Sequence, residues 1–285
     1  MRRFGRMFPL YGFVGIFFLV FSFMFTYLNL YGTFYFNMDM FYAIGIWLFF
    51  DAWDFKLNKK SLIHSGIKYV FFTLILGAFL GVIIELYREY TSNVWVYVNP
   101  IDFLNGPLLF IFWGVCLPMF YESYVVFSTL LNKYFKFKIK KFSKNLRKNI
   151  FSILGIIGIL FLLIPIIFYK LNSGHFFTLM IFGLWFVSEY ILYKFNKKTL
   201  LDFIFVGDYR PWVSLIVSSL LVGVLWEIRN VLTGQKAAWI YIKTLPFLNY
   251  QIFGVPLLII LGWPFLYIIF LSFYKIFFRK DKRIY

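Results

Sequence analysis

Residues 45–62 read GIWLFFDAWDFKLNKKSL, and residues 183–200 read GLWFVSEYILYKFNKKTL. At one constant offset Gly45, Trp47, Lys56, Asn58, Lys59, Lys60 and Leu62 recur as Gly183, Trp185, Lys194, Asn196, Lys197, Lys198 and Leu200. Asp51 becomes Glu189, and Ser61 becomes Thr199. A biased apolar composition does not produce matches this dense, so the chain is read as an internal repeat. The likeness continues with a few inserted residues. GAFLGVIIELYR (77–88) aligns with SLLVGVLWEIRN (219–230), and WVY (95–97) with WIY (239–241). Pro118 and Tyr121 align with Pro264 and Tyr267.

The solvent of this repeat is set by composition. Of 285 residues, 62% are hydrophobic and 14% charged, with a mean hydropathy of +0.79. Soluble domains carry about a quarter charged residues, and a water-soluble fold of this size has no way to hide so much apolar surface. A span needs roughly 20 mostly apolar residues. Eight stretches qualify: 8–30, 34–53, 67–88, 106–131, 150–169, 174–193, 211–230 and 250–274. The first follows Met1-Arg2-Arg3 but is too long for a signal-peptide core and lacks a small-x-small cleavage site, so it reads as a retained helix.

Lys and Arg give the orientation. With the N-terminus inside, 24 of the 29 fall on inner segments, leaving Arg88, Lys170, Arg229, Lys236 and Lys243 outside. Both termini are therefore expected in the cytoplasm, with the chain in the cell membrane. Four spans per copy is an even number, so both copies insert in the same sense about a pseudo-two-fold axis along the membrane normal. The expected fold is an all-α polytopic protein of eight transmembrane helices: a first four-helix repeat (1–132), a basic cytoplasmic linker (133–149) and a second repeat (150–285). The linker, KYFKFKIKKFSKNLRKN, suits anionic lipid at the inner face rather than nucleic acid. Cys116 is the only cysteine, and His64 and His175 lie at different helix ends. Neither a disulfide nor a Cys/His metal site is expected. No phosphate loop, H-E-x-x-H or G-x-S-x-G occurs, and no cofactor is expected.

An ionisable residue inside a span is a functional hypothesis by default. Glu85 and Glu227 are equivalent in the repeat. Helical spacing sets Gly77, Gly81, Glu85 and Arg88 on one face, and Ser219, Gly223, Glu227 and Asn230 on its counterpart. Small residues every fourth position admit a close neighbouring helix. Each acid is thus expected at the outer end of a packed seam, as a candidate catalytic group. The structural alternative is that Glu85 pairs with Arg88 and Glu227 bonds the next loop, simply holding helix ends. Asn230 in place of Arg88 speaks against a pure ion-pair role, although Arg229 has the reach to compensate by snorkelling outward. Trp95, Tyr97, Trp239 and Tyr241 are either interfacial belt residues or a short lid contributing substrate contacts along with Arg88 and Asn230. Gly106-Pro107 and Gly254-x-Pro256 follow as helix breakers. Glu122, in PMFYESY, has no acidic counterpart and is a second-rank catalytic candidate, its alternative being an inward hydrogen bond. Asp51 with Lys56, and Glu189 with Lys194, read as anchors at inner helix ends.

The pattern Trp226-Glu227, Asn230, Trp239-Ile240-Tyr241, Pro246/Pro256 resembles a family of multi-pass bacterial membrane proteins to which no activity is attached. A fainter likeness is to the heterodimer-type lycopene cyclases, which combine duplicated helical units, an acid, a W-x-Y element and a later Pro-x-Glu-Glu or Pro-x-Glu-Asp motif. Here that motif reads Pro118-Met-Phe-Tyr-Glu122 and Pro264-Phe-Leu-Tyr-Ile268, a departure at the acids themselves. The resemblance implies a lipidic or isoprenoid ligand.

The expected function is a membrane-embedded site that binds or modifies such a molecule near the outer leaflet. A secondary transporter and a non-catalytic scaffold are the alternatives. An enzyme predicts an asymmetric pocket in which Glu122 or Lys236 joins one glutamate. A transporter predicts both glutamates near the axis, and a scaffold predicts paired glutamates and no cavity.

Overall fold

The structure, a computed structural model, describes residues 7–28, 35–97, 107–134, 144–232, 239–242, 250–252, 255–278, 281, 283 and 284. Among these the chain is an all-α polytopic protein with nine α-helices and four very short strands. In order they are α1 (Leu10–Tyr27), α2 (Tyr35–Asn58), α3 (Ile67–Thr91), β1 (Trp95–Tyr97), α4 (Pro107–Tyr134), α5 (Lys144–Ile167), α6 (Gly174–Lys194), α7 (Leu200–Phe205), α8 (Arg210–Leu232), β2 (Trp239–Tyr241), β3 (Gln251–Ile252), β4 (Val255–Pro256) and α9 (Leu257–Phe277). Seven of the helices are long and apolar enough to cross a membrane. The eighth expected span, α2, is long at 24 residues, but Asp39, Asp51, Asp54 and Lys56 make it less apolar. Helix α5 begins inside the stretch expected as a linker.

Helices α1 and α5 are inverted relative to those of a water-soluble bundle. In α1 the buried positions are Gly12, Gly15, Ser22 and Thr26, while Phe13, Phe17, Val20 and Met24 point outward. Helix α5 likewise exposes Ile153, Ile156, Leu160, Leu163 and Ile167. Large apolar side chains outside and small residues inside are what a hydrocarbon solvent selects, because close backbone approach, not apolar burial, then holds the helices together. Helices α1 and α2 meet at Gly15 and Gly45, where a Cβ on either would lie 2.8–2.9 Å from the other's carbonyl oxygen.

Packing follows one scheme in each half. Helix α1 lies on α2, α2 on α4 and α3 on α4. Correspondingly α5 lies on α6, α6 on α9 and α8 on α9. The halves join where α4 packs on α8, with Phe112 and Trp226 ring centroids 5.4 Å apart. Helix α4 is buried along most of its length, from Phe112 to Val126, and forms the centre of the molecule.

Strands β1 and β2, one from each half, pair antiparallel in the register Trp95↔Tyr241, Val96↔Ile240, Tyr97↔Trp239. Exchanging the strands leaves this register unchanged, since Trp95 replaces Trp239 and Tyr97 replaces Tyr241. A second antiparallel pair, β3–β4, precedes α9.

Candidate functional site

The small-residue faces of α3 and α8 each pack against one tryptophan of the following long helix. A Cβ at Gly81 would overlap the Trp113 ring, and one at Gly223 the Trp263 ring. The missing side chains let these indoles lie flat against the helix one turn from each acid. Glu85 is 2% exposed and Glu227 3%, so both face protein rather than lipid.

Around each glutamate the same relay is built. The Trp95 indole donates to the Tyr97 hydroxyl at 3.3 Å, and Tyr97 donates to Glu85. The Trp239 indole donates to the Tyr241 hydroxyl at 2.7 Å, and that hydroxyl lies 2.9 Å from both Glu227 oxygens. The W-x-Y spacing explains the geometry: i and i+2 share one face of a strand, so indole and phenol point together toward the acid. These four residues pair across β1 and β2 and line the cavity described below.

The relays differ in charge. The Arg88 Nε donates to Glu85 at 3.0 Å, and its Nη1 donates to the Trp95 carbonyl at 2.7 Å. Its guanidinium carbon lies 5.1 Å from the Trp95 ring centroid and 5.7 Å from that of Tyr97. Asn230 keeps the strand-holding task, donating to the Trp239 carbonyl at 3.1 Å and accepting from its amide at 3.4 Å. Glu227 is held by Tyr241 and by the Trp263 indole at 3.3 Å, with no cationic side chain in salt-bridge reach among the described residues. Arg229, which has the reach to snorkel outward, does not do so. It is buried and ion-paired with Asp39 of α2. Lys236, the other cation considered, lies outside the described residues, as do Lys243, Gly106, Pro246 and Gly254. Pro107 opens α4, and Pro256 precedes the first residue of α9.

Both relays face one cavity of about 130 Å³. Its deep wall is buried and comes from Ile84, Phe112, Trp113, Cys116, Met119 and Phe120. Its other side is partly exposed and comes from Phe177 of α6 and from Ile259, Gly262 and Leu266 of α9. The last three are spaced i, i+3, i+7, one helix face. A Cβ on Gly262 meets nothing within 4 Å, so the cavity is open beside it. The cavity brings together both acids and both W-x-Y elements named from the sequence, and adds Trp113 and Trp263, which were not named there, beside Trp226, named only as the neighbour of Glu227. The adjacency of Trp113 to Gly114, and of Gly262 to Trp263, was the available signal.

Glu122 is not part of this site. It lies at the opposite end of the bundle and accepts the Leu62 amide at 2.6 Å, while Asp51 accepts the Ile63 amide at 3.0 Å and the Tyr11 hydroxyl at 2.7 Å. In the other half Glu189 accepts the equivalent amides, Leu200 and Leu201, both at 3.1 Å. The longer glutamate reaches both donors; the shorter aspartate reaches one, and Glu122 supplies the second acceptor. That explains why Glu122 has no acidic counterpart at Ile268. Asp51 and Glu189 are anchors, but of backbone turns rather than of Lys56 and Lys194. Nearby, Arg283 ion-pairs with Asp54 at 3.1 Å and Asp281 at 3.2 Å, and the Tyr121 hydroxyl donates to Asp281 at 2.5 Å. Burial works to raise Asp281, but the Arg283 guanidinium and these hydrogen bonds outweigh it and hold the carboxyl below its usual range.

Among the described residues no group of three His, Cys, Asp or Glu side chains is arranged to hold a metal ion. Compared with family models, with curated proteins and with solved structures, the chain matches none.

Proposed function

We propose that this chain is a membrane-embedded site for a lipidic or isoprenoid molecule, formed where two tandem copies of a four-helix unit meet. The observation that carries this is the convergence of both Glu-Tyr-Trp relays on one apolar cavity whose α6/α9 side is partly exposed. Those two helices are apolar enough to be spans, so the open side faces the bilayer, and a ligand arriving that way is a lipid-phase molecule. A cavity of roughly 150 Å³ holds a benzene ring. The ligand therefore inserts one end and leaves the rest between α6 and α9. Two carboxyl groups in an apolar pocket suit either tight polar recognition of that end or proton transfer to it.

The duplication has its own support. Packing order repeats in the two halves, and the β1–β2 register is the one a two-fold axis through Val96 and Ile240 requires. On this reading α2 and α6 are equivalent and both span, giving eight spans, parallel repeats over 1–132 and 150–285, and both termini on the cytoplasmic side of the cell membrane. The basic stretch 133–149 lies there against anionic lipid. Cysteines introduced at either terminus are then labelled by an impermeant maleimide only after the cell membrane is opened.

A carrier for the same ligand is the second reading, favoured by both glutamates lying at the junction of the halves. The existence of a cavity speaks against a scaffold. The test compares lipid and pigment extracts from a deletion strain and from strains carrying Glu85→Gln, Glu227→Gln or the pocket-filling Gly262→Phe. A lipid or pigment species changed in the deletion and in all three variants is expected. Unchanged extracts throughout overturn the enzyme form, and glutamate-independent flux in proteoliposomes overturns the carrier form.

A further inference from the structure

We propose that the cavity takes the positively charged head of a lipid-phase amphiphile, an ammonium-type monocation seated against Glu227, Trp239 and Tyr241. The inference rests on reading the cavity as a lipid-phase ligand site, and adds the charge of the ligand.

The first half displays what such a seat looks like. There a guanidinium lies beside Glu85 and within cation–π distance of both Trp95 and Tyr97. The second half repeats the acid, the indole and the phenol with the same bonds between them. Only the cation differs, because Asn230 stands where Arg88 does. Asn230 is shorter, neutral and committed to the Trp239 backbone. The adjacent Arg229 is committed to Asp39. A buried carboxyl group is satisfied either as a neutral acid or as a carboxylate with a counter-cation. Arg88 neutralises Glu85, so among the described residues Glu227 is the cavity carboxyl without a counter-cation, a neutral acid until a cation arrives.

The walls favour the same ligand. Trp95, Trp113, Trp226, Trp239 and Trp263 all line the cavity, and aromatic faces around a carboxylate are the chemistry that recognises quaternary ammonium groups. A trimethylammonium head is about the size of a benzene ring, which matches the cavity. An alkyl tail then leaves past Gly262, where there is open space.

Binding exchanges a proton for the cation. The Glu227 O–H bond breaks, one proton leaves to solvent, and the carboxylate pairs with the ammonium. Among the described residues the titratable groups facing Glu227 are Tyr241 on β2, Tyr97 on β1, Glu85 with its partner Arg88 on α3, and Cys116 on α4; α6 and α9 contribute none to the lining.

The test titrates the full chain, in neutral maltoside, with dodecyltrimethylammonium and with uncharged dodecanol, reading tryptophan fluorescence. The ammonium is expected to bind at least about tenfold tighter than the alcohol at pH 8, and to weaken up to about tenfold per pH unit on acidification by proton linkage. Glu227→Gln removes both the preference and the pH dependence while dodecanol binding stays. Asn230→Arg, which supplies its own cation, removes ammonium binding alone. If Asn230→Arg does not give monodisperse protein, Glu227→Gln decides. Equal binding of the two amphiphiles, blocked by Gly262→Phe, overturns the charge inference and leaves the cavity reading standing. Binding of neither overturns both.

Discussion

At the residue scale the site depends on side chains that are absent as much as on those present. Gly81 and Gly223 place Trp113 and Trp263 beside the two acids. Gly81→Ala pushes a methyl into an indole held against buried helices and is expected to destabilise by about 1–3 kcal/mol. Gly262→Ala, with nothing within 4 Å, is expected to be near neutral. Thermal unfolding of the two variants in detergent checks the contrast, and equal losses would contradict it. The acids were legible in the sequence because charge is rare in spans, and the W-x-Y elements because they recur at a fixed distance from the acids. The wall tryptophans were not, because tryptophan is at home at many depths of a bilayer and their positions differ by helix turns between the copies.

At the element scale, helix ends are held by carboxylates that accept backbone amides. Glu122→Ala leaves the Leu62 amide buried without its acceptor, at an expected cost of about 1–3 kcal/mol. Glu122→Gln keeps an acceptor oxygen and is expected to lose far less. Neither should alter ligand binding at the far end, which separates this anchor from a catalytic acid. Asp281, held below its usual range, contributes stability that is complete above its unfolded value and is lost as pH falls through the folded one. Asp281→Asn should flatten the acid limb of a stability-against-pH curve and leave the neutral region lower. The sequence could not reveal this cluster, because Asp54, Glu122, Asp281 and Arg283 come from distant segments. Only the docking of the residues after α9 onto the first half brings them together.

At the scale of the whole molecule, the paired strands β1 and β2 bind one half to the other above the cavity. Val96 and Ile240 face each other at the centre of that pairing, within the separation a disulfide spans. With Cys116→Ser, the pair Val96→Cys and Ile240→Cys should oxidise within one chain. After cleavage at a protease site placed in residues 135–143, the halves should run together on a non-reducing gel and apart once reduced. Separation without reductant would refute the strand register. The apolar helices were legible in advance. How the halves meet was not, because a repeat in sequence fixes what each unit is and leaves its docking to long-range packing.

The swap-invariant register also bears on the direction in which a ligand lies. In a cavity with two identical corners, an unsymmetrical molecule has two equivalent poses, and half the bound population would present the wrong end to either acid. Arg88 at one corner and Asn230 at the other remove that equivalence. On the proposed reading the pocket has a head end at Glu227, and a guest would enter it one way round.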